Sequence, residues 1–109
     1  MKKIMFIMSF LFVGAVAAAT EGSALSKIEQ LYSFSESGGG DVTVRLSENG
    51  SICAGYWLKK TDPGFQANLS MIIAAYHAKS DIVITGHTDQ IWAGSGGKYC
   101  HVYSVGYRL

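Results

Sequence analysis

The sequence predicts a mainly β domain with one α-helix, in the order β-β-β-α-β-β, and three observations support this fold class. Segments with alternating apolar and polar residues, typical of half-buried strands, flank the pair Asn49-Gly50. One segment, from Phe65 to about Lys79, has apolar residues at helical spacing. Two further segments near the end of the chain are rich in β-branched and aromatic residues.

The first three strands are predicted before the helix. Residues 27–35 alternate loosely and lead into a glycine-rich turn over residues 36–40. Residues 41–47 alternate strictly, with Val42, Val44 and Leu46 on one face. Asn49-Gly50 then favours a tight hairpin turn, because both residues tolerate a positive φ angle. The third strand is therefore predicted over residues 52–59.

The start of the helix is predicted at Asp62-Pro63. An aspartate side chain can accept a hydrogen bond from the first free amides of a helix, and proline fits the first helical position. Phe65, Leu69, Ile72 and Tyr76 follow at steps of four, three and four, which places them on one face.

The remaining faces of this helix are also unusually apolar. Polar residues form only a narrow stripe at Gln66, Asn68, Ser70 and His77. A helix that packs on one sheet and otherwise meets water has a wider polar side. We therefore expect the helix to contact a second surface, and we predict an oligomer interface at Met71, Ile73, Ala74 and His77.

Two strands are predicted after the helix, over residues 81–85, bounded by Gly86, and over residues 98–109. A helix between the third and fourth of five strands fits the five-stranded Greek-key barrel known as the OB-fold. The last strand leaves two arrangements open. Either its tyrosines face outward and Cys100 faces the core, or the tyrosines fill the core and Cys100 lies at the rim. The second arrangement is slightly preferred.

The first residues predict export. Lys2 and Lys3 precede an apolar run and then small residues, which is the pattern of a secretory signal peptide, predicted over residues 1–19. The apolar run is too short for a membrane span. Residues 20–109 then form a single domain, secreted or periplasmic. In an oxidising compartment its two cysteines, Cys53 and Cys100, are expected to form a disulfide.

Charge argues against a nucleic-acid partner. Two of the nine basic residues lie in the predicted leader, which leaves seven basic against eight acidic residues in the domain. The seven are scattered rather than gathered on one face, as nucleic-acid binding would require.

Chemical motifs for catalysis are weak. The stretch Trp92-Ala-Gly-Ser-Gly-Gly-Lys-Tyr-Cys100 lacks the first glycine and the final serine or threonine of a phosphate-binding loop, and it leads into a strand. We interpret it as a turn. His87 and Asp89 are two candidate metal ligands on one segment, too few to predict a metal site. We predict no catalytic residue, no metal and no cofactor.

Several segments together resemble one family of secreted bacterial proteins. They are Cys53-Ala-Gly-Tyr-Trp57-Leu, then Asp62-Pro-Gly64-Phe before an alanine-rich helix, then Trp92-Ala-Gly-Ser95 ahead of Tyr99-Cys100. This set is similar to the B subunits of A-B toxins of the subtilase-cytotoxin type. The resemblance covers about residues 52–105. It implies an OB-fold, a disulfide from the third strand to the last, pentameric rings whose helices line a pore, and binding of cell-surface glycans beside a catalytic A subunit.

The leading prediction is therefore a secreted, non-enzymatic binding protein that self-associates and recognises carbohydrate. Aromatic side chains offer a large contact area with a polar handle. The candidate ligand-binding residues are therefore the aromatic Tyr103, Tyr107 and Trp92, and with them Ser95. The alternative is a monomeric periplasmic module that binds a protein partner. A third hypothesis, a metal-assisted hydrolase, would use His87 and Asp89.

Overall fold

The computed structural model describes residues 19–109, so nearly all of the predicted signal peptide lies outside the described residues. The described elements are β1 (Thr20–Gly22), β2 (Ile28–Ser33), a short 3-10 helix (Ser37–Gly39), β3 (Val42–Leu46), β4 (Gly55–Leu58), α1 (Phe65–Ala78), β5 (Val83–Ile91) and β6 (Tyr99–Gly106). The prediction of a mainly β fold with one α-helix is confirmed for this part of the chain. Within it, no helix is long and apolar enough to cross a membrane.

The strands form one sheet in the order β1-β5-β6-β4-β3-β2. Neighbouring strands run antiparallel except β4 and β6, which are parallel. The two outer strands of the sheet, β1 and β2, follow each other in the chain. Between them, Ser26 forms an isolated bridge to Ile82. The segment before β3 therefore pairs with both β5 and β3.

The sheet has six strands, so the prediction of five was wrong. The additional strand, Thr20–Gly22, is too short for an alternating pattern to reveal it. It exists because β5 offers it a partner, with Glu21 opposite Gly86. The side chain of Glu21 holds this strand in place by accepting hydrogen bonds from the backbone N–H groups of Ser51, Ile52 and Cys53.

The core lies between the inner face of the sheet and α1. It is built from apolar side chains of four strands, the helix and the segments that flank them, principally Val42, Val44, Leu46, Tyr56, Leu58, Ile72, Ala75, Ile82, Ile84 and Val102. The predicted disulfide between Cys53 and Cys100 is confirmed, and both cysteines are completely buried within this core.

The burial of Cys100 decides between the two arrangements of the last strand. Cys100 and Val102 face the core, whereas Tyr103 is 63% exposed and Tyr107 is 48% exposed. The preferred arrangement, with the tyrosines in the core, was wrong. Side chains alternate across a strand, so Cys100 and Val102 on the inner face direct Tyr103 outward. Tyr107 lies beyond the end of β6 and contacts the helix instead.

The tight turn predicted at Asn49-Gly50 was also wrong. β3 and β4 do pair as a hairpin, but residues 47–54 connect them and neither residue of the pair has a positive φ angle. The Asn49 side chain instead accepts a hydrogen bond from the Leu46 N–H and donates one to the Leu46 carbonyl, both at 2.9 Å. Asparagine here ends β3 through its side chain, because local bonds of this kind compete with a tight turn.

Gly86 lies inside β5 rather than at its end. A Cβ atom at this position would lie 2.8 Å from the Cys100 Cβ and 3.0 Å from the Tyr56 ring. The strand therefore continues through Gly86, because only glycine lets β5 approach the disulfide so closely.

The helix begins at Phe65, after Gly64, and the Asp62 side chain does not cap it. The Asp62 carboxylate contacts His101 on β6 instead. Phe65, Leu69 and Ile72 pack on the core as predicted, whereas Tyr76 lies at the margin of that face and is 44% exposed. The Asp62 carboxylate therefore contacts His101 and does not cap the helix as predicted.

Candidate functional site

Four aromatic side chains form a row on the outer surface of β4, β6 and β5. They are Trp57, His101, His87 and Tyr103, and together we call them the aromatic face. The ring centroids of Trp57 and His101 are 4.7 Å apart, those of His101 and His87 are 5.5 Å apart, and those of His87 and Tyr103 are 5.3 Å apart. The row arises from strand register, since His101 lies opposite Trp57 on β4 and opposite His87 on β5.

His101 is fixed at the centre of the aromatic face by two polar contacts. Its Nε2 lies 2.5 Å from Asp62 Oδ2, and its Nδ1 lies 2.7 Å from Gln90 Oε1. The roles of donor and acceptor depend on the tautomer and on the orientation of the amide. Because both ring nitrogens have polar partners, the ring is held in place as a wall of the surface.

Trp57 lies over Thr43, its register partner on β3. Thr43 is 7% exposed although it occupies an outward position of β3. The Trp57 indole Nε1 is itself enclosed and has no hydrogen-bond partner among the described residues. An indole N–H can only donate. The aromatic face therefore contains one unused buried donor.

A cavity of about 430 Å³ adjoins the aromatic face at Trp57. We call it the Asp41 pocket, and its walls include Ser37, Gly38, Asp41, Trp57, Lys59 and Trp92. Asp41 is only 4% exposed. Its Oδ2 accepts a hydrogen bond from the Trp92 indole at 2.8 Å, but its Oδ1 has no partner among the described residues.

The turn over residues 37–40 encloses the Asp41 carboxylate. Gly38, Gly39 and Gly40 all have positive φ angles, at 61°, 82° and 116°. A Cβ atom at Gly38 would clash with the carboxylate group of Asp41. Glycine is therefore required at position 38 both for the backbone conformation and for space against the carboxylate.

The predicted ligand-binding residues do not lie together. Tyr103 belongs to the aromatic face, and Trp92 is 8% exposed in the wall of the Asp41 pocket, packed between Phe34 and Tyr99. Ser95 lies in the exposed loop after β5, where its hydroxyl accepts a hydrogen bond from the Gly97 N–H. The remaining candidate is on the helix side of the molecule.

That candidate, Tyr107, follows β6, and its hydroxyl donates a hydrogen bond to the carbonyl of Met71 on α1. Eight residues of extended chain separate Tyr99, beside Trp92, from Tyr107, which corresponds to roughly 26 Å. Trp57 therefore belongs both to the aromatic face with Tyr103 and to the wall of the Asp41 pocket with Trp92. Tyr107 lies apart from both, against α1.

Sequence reasoning missed Asp41, Trp57 and His101 as site residues. Asp41 directly precedes β3 and Trp57 occupies an outward position of β4, so their alternation with core residues was the available signal. His87, a candidate metal ligand, lies on the aromatic face and Asp89 is exposed. Within residues 19–109 no group of three or more His, Cys, Asp or Glu side chains is placed to hold a metal ion.

The predicted oligomer-interface residues are located on the outer side of α1. Ile73, Ala74 and His77 are exposed, and Met71 is half-buried. Ile73 is 41% exposed, and the exposed Ala74 lies next to it in the chain. This helix surface therefore presents apolar area to its surroundings.

Two ionisable groups have perturbed pKa values near the disulfide. Burial opposes ionisation of Glu21, but hydrogen bonds from the backbone of Cys53 and Ile52 and from Ser51 outweigh it and hold the pKa of the carboxyl below its usual value. Burial raises the pKa of the Tyr56 hydroxyl, and the negative charge of Glu21 raises it further. Glu21 thus holds the segment around Cys53, and Tyr56 belongs to the core.

Comparison with protein-family models, curated protein sequences and solved structures finds no match to this chain.

Proposed function

We propose that the protein is an exported, non-enzymatic binding protein that recognises cell-surface glycans. The aromatic face carries this proposal, because it offers Tyr103, 63% exposed, beside His87 and Trp57 in one continuous row. Aromatic rings provide flat apolar area, and the tyrosine hydroxyl and the His87 imidazole add polar handles. Sugar rings, with apolar faces and a rim of hydroxyl groups, are complementary to such a surface.

We further propose that the domain is an OB-fold. Its support is the order of the strands around the helix, with a meander of β2, β3 and β4, then α1, then the β5–β6 hairpin. If β1 and β2 are taken as one bent first strand that pairs with both β3 and β5, five strands close into a barrel. The resemblance of residues 52–105 to toxin B subunits is in keeping with this assignment.

Self-association into a ring, as in a pentamer, is the second part of the proposal. Its support is the apolar outer side of α1, where Ile73 and Ala74 are exposed beside the half-buried Met71. Homo-oligomer interfaces are more apolar than the remaining surface of a protein. In the toxin-like arrangement a separate catalytic A subunit would associate with the ring, and export would place the assembly in the periplasm or outside the cell.

Glycan binding is tested with an array of mammalian and bacterial glycans, using the oxidised protein. Tyr103→Ala is expected to reduce binding at least about tenfold, since stacking aromatics dominate contacts of this kind. Tyr103→Phe retains the ring and is the matched control, expected to keep most of the binding. If the wild-type protein binds no glycan on the array, the proposed function is wrong.

The alternative is a monomeric periplasmic module whose partner is a protein. The exposed side of α1 is also the observation that favours it, since a protein partner would cover Ile73 and Ala74 as well as a second copy would. The two proposals differ in mass. Light scattering after size exclusion would give one chain for the module and several for the ring.

A further inference from the structure

We propose that the Asp41 pocket holds one neutral sugar residue through its hydroxyl groups, with one hydroxyl donating to Asp41 Oδ1 and one accepting from the Trp57 indole N–H. This inference rests on the proposed glycan recognition and deepens it. It assigns a specific anchoring subsite to one end of the aromatic face, whose remaining rings would contact the rest of the glycan.

Two residues in the walls of the Asp41 pocket, Asp41 and Trp57, each carry one unpaired polar atom. Asp41 Oδ1 and Trp57 Nε1 are both buried and both lack a hydrogen-bond partner among the described residues. Buried polar groups in folded proteins are nearly always paired, so each such atom calls for an explanation. One atom is an acceptor and the other a donor. A hydroxyl group can serve either, because it both donates and accepts.

The charges and hydrogen-bonding groups of the pocket wall favour a neutral ligand with hydroxyl groups. An ammonium group would suit the carboxylate of Asp41, but it has no lone pair to accept from Trp57 Nε1, and Lys59 adds a positive charge to the same wall. An anionic group would be repelled by Asp41. A neutral polyol satisfies both atoms without either conflict. The volume, about 430 Å³, lies within the range of small-molecule sites.

The turn over residues 37–40 covers the way to the Asp41 carboxylate. Both unpaired atoms are enclosed, and Gly38 packs directly against the Asp41 carboxylate. The turn over residues 37–40 carries three consecutive glycines without side chains to anchor it, and residues 37–39 are exposed. In the proposal the sugar reaches Asp41 by displacing this turn, which then folds over the bound ring.

The experiment uses the two indole N–H signals of the protein, one from Trp57 and one from Trp92, in nitrogen-15 NMR spectra. Trp57→Phe assigns the signals by removing one of them. The probes are the methyl α-pyranosides of glucose, galactose, mannose and N-acetylglucosamine, with tetramethylammonium as the cationic probe. We expect at least one pyranoside to shift the Trp57 signal in a saturable manner.

Two variants test the hydrogen bonds. Asp41→Asn and Trp57→Phe are each expected to weaken binding of that pyranoside at least about tenfold, as for loss of a hydrogen bond to a charged or enclosed group. Asp81→Asn is the matched control, because Asp81 is an exposed carboxylate that pairs with Lys27 and lies outside the pocket. It should leave affinity unchanged. Unaltered backbone spectra would show that each variant is folded.

Each contrary outcome has a distinct meaning. If a glycan binds and perturbs Tyr103 and His87 but leaves the Trp57 signal and the Asp41→Asn affinity unchanged, the subsite is wrong and the proposed function stands. If tetramethylammonium binds in place of the sugars, the pocket is a cation site. If none of the four pyranosides binds and water exchange at the Trp57 signal reveals only a trapped water, the subsite is wrong, and the glycan array decides the proposed function separately.

Discussion

His101 Nε2 lies 2.5 Å from Asp62 Oδ2, and this contact joins the centre of β6 to the turn that precedes α1. The side chains are 14% and 29% exposed, so the pair is largely shielded from water. It determines two features at once. Because the Asp62 carboxylate contacts His101, the helix has no side-chain cap at its first turn. The contact also fixes the His101 imidazole beside the Trp57 ring.

A double-mutant cycle would measure this contact. His101→Gln and Asp62→Asn should each destabilise the fold, and the coupling energy between them should be about 1 kcal/mol, at the upper end of the range for exposed ion pairs. Urea unfolding at neutral pH provides the free energies. Additive effects would mean that the two side chains contribute independently.

The disulfide should be a major contributor to stability. It closes a loop between positions 47 residues apart, for which chain entropy gives about 4 kcal/mol. Replacement of both Cys53 and Cys100 by Ala should therefore lower the free energy of unfolding by about 2 to 5 kcal/mol. Thermal unfolding with and without reductant checks this. An unchanged melting temperature would show that the bond is unimportant.

Glu21 should make stability depend on pH. Its folded-state pKa is lowered, so its contribution is fully present above the unfolded-state pKa, about 4.3, and is lost as the pH falls through the lower folded-state value. Glu21→Gln should cost about 1 kcal/mol at neutral pH, a figure reduced for the exposure of the carboxylate. Urea unfolding between pH 7 and pH 2 should show the difference vanish at low pH. A constant difference would contradict the role of the charge.

Gly86 should tolerate no side chain, whereas Gly106 should. A methyl group at Gly86 would meet the Cys100 Cβ and the Tyr56 ring, while one at Gly106 has nothing within 4 Å. Gly86→Ala should destabilise the fold by roughly 1 to 3 kcal/mol, in the range for overpacking a core. Gly106→Ala is the matched control, and both can be compared by thermal unfolding. Equal effects would mean that strand propensity, not space, dominates.

Self-association should depend on the outer side of α1. Ile73→Asp would place a charge in the proposed interface, where desolvation opposes it, and should convert the assembly to single chains. Light scattering after size exclusion gives the mass. Leu25→Asp, at an exposed position outside the helix, is the control and should leave the mass unchanged. A wild-type mass of one chain would contradict the ring.

The sequence by itself determined which residues of a strand or helix face the core, because this depends on spacing along the chain. Alternation in residues 42–46 placed Val42 and Val44 in the core, and helical spacing placed Leu69 and Ile72 against the sheet. The prediction of export implied that the two cysteines pair. These patterns report burial directly, because period two and period 3.6 follow from backbone geometry.

The tertiary structure decided everything that depends on which strands become neighbours. Parallel pairing of β4 with β6 set His101 beside Trp57, and the inward disulfide set Tyr103 outward. Asp62 was drawn from the helix start to His101, and Gly86 became a point of close approach rather than a boundary. The aromatic face and the Asp41 pocket exist only through such register. A single sequence does not display register, because it is fixed by contacts between residues far apart in the chain.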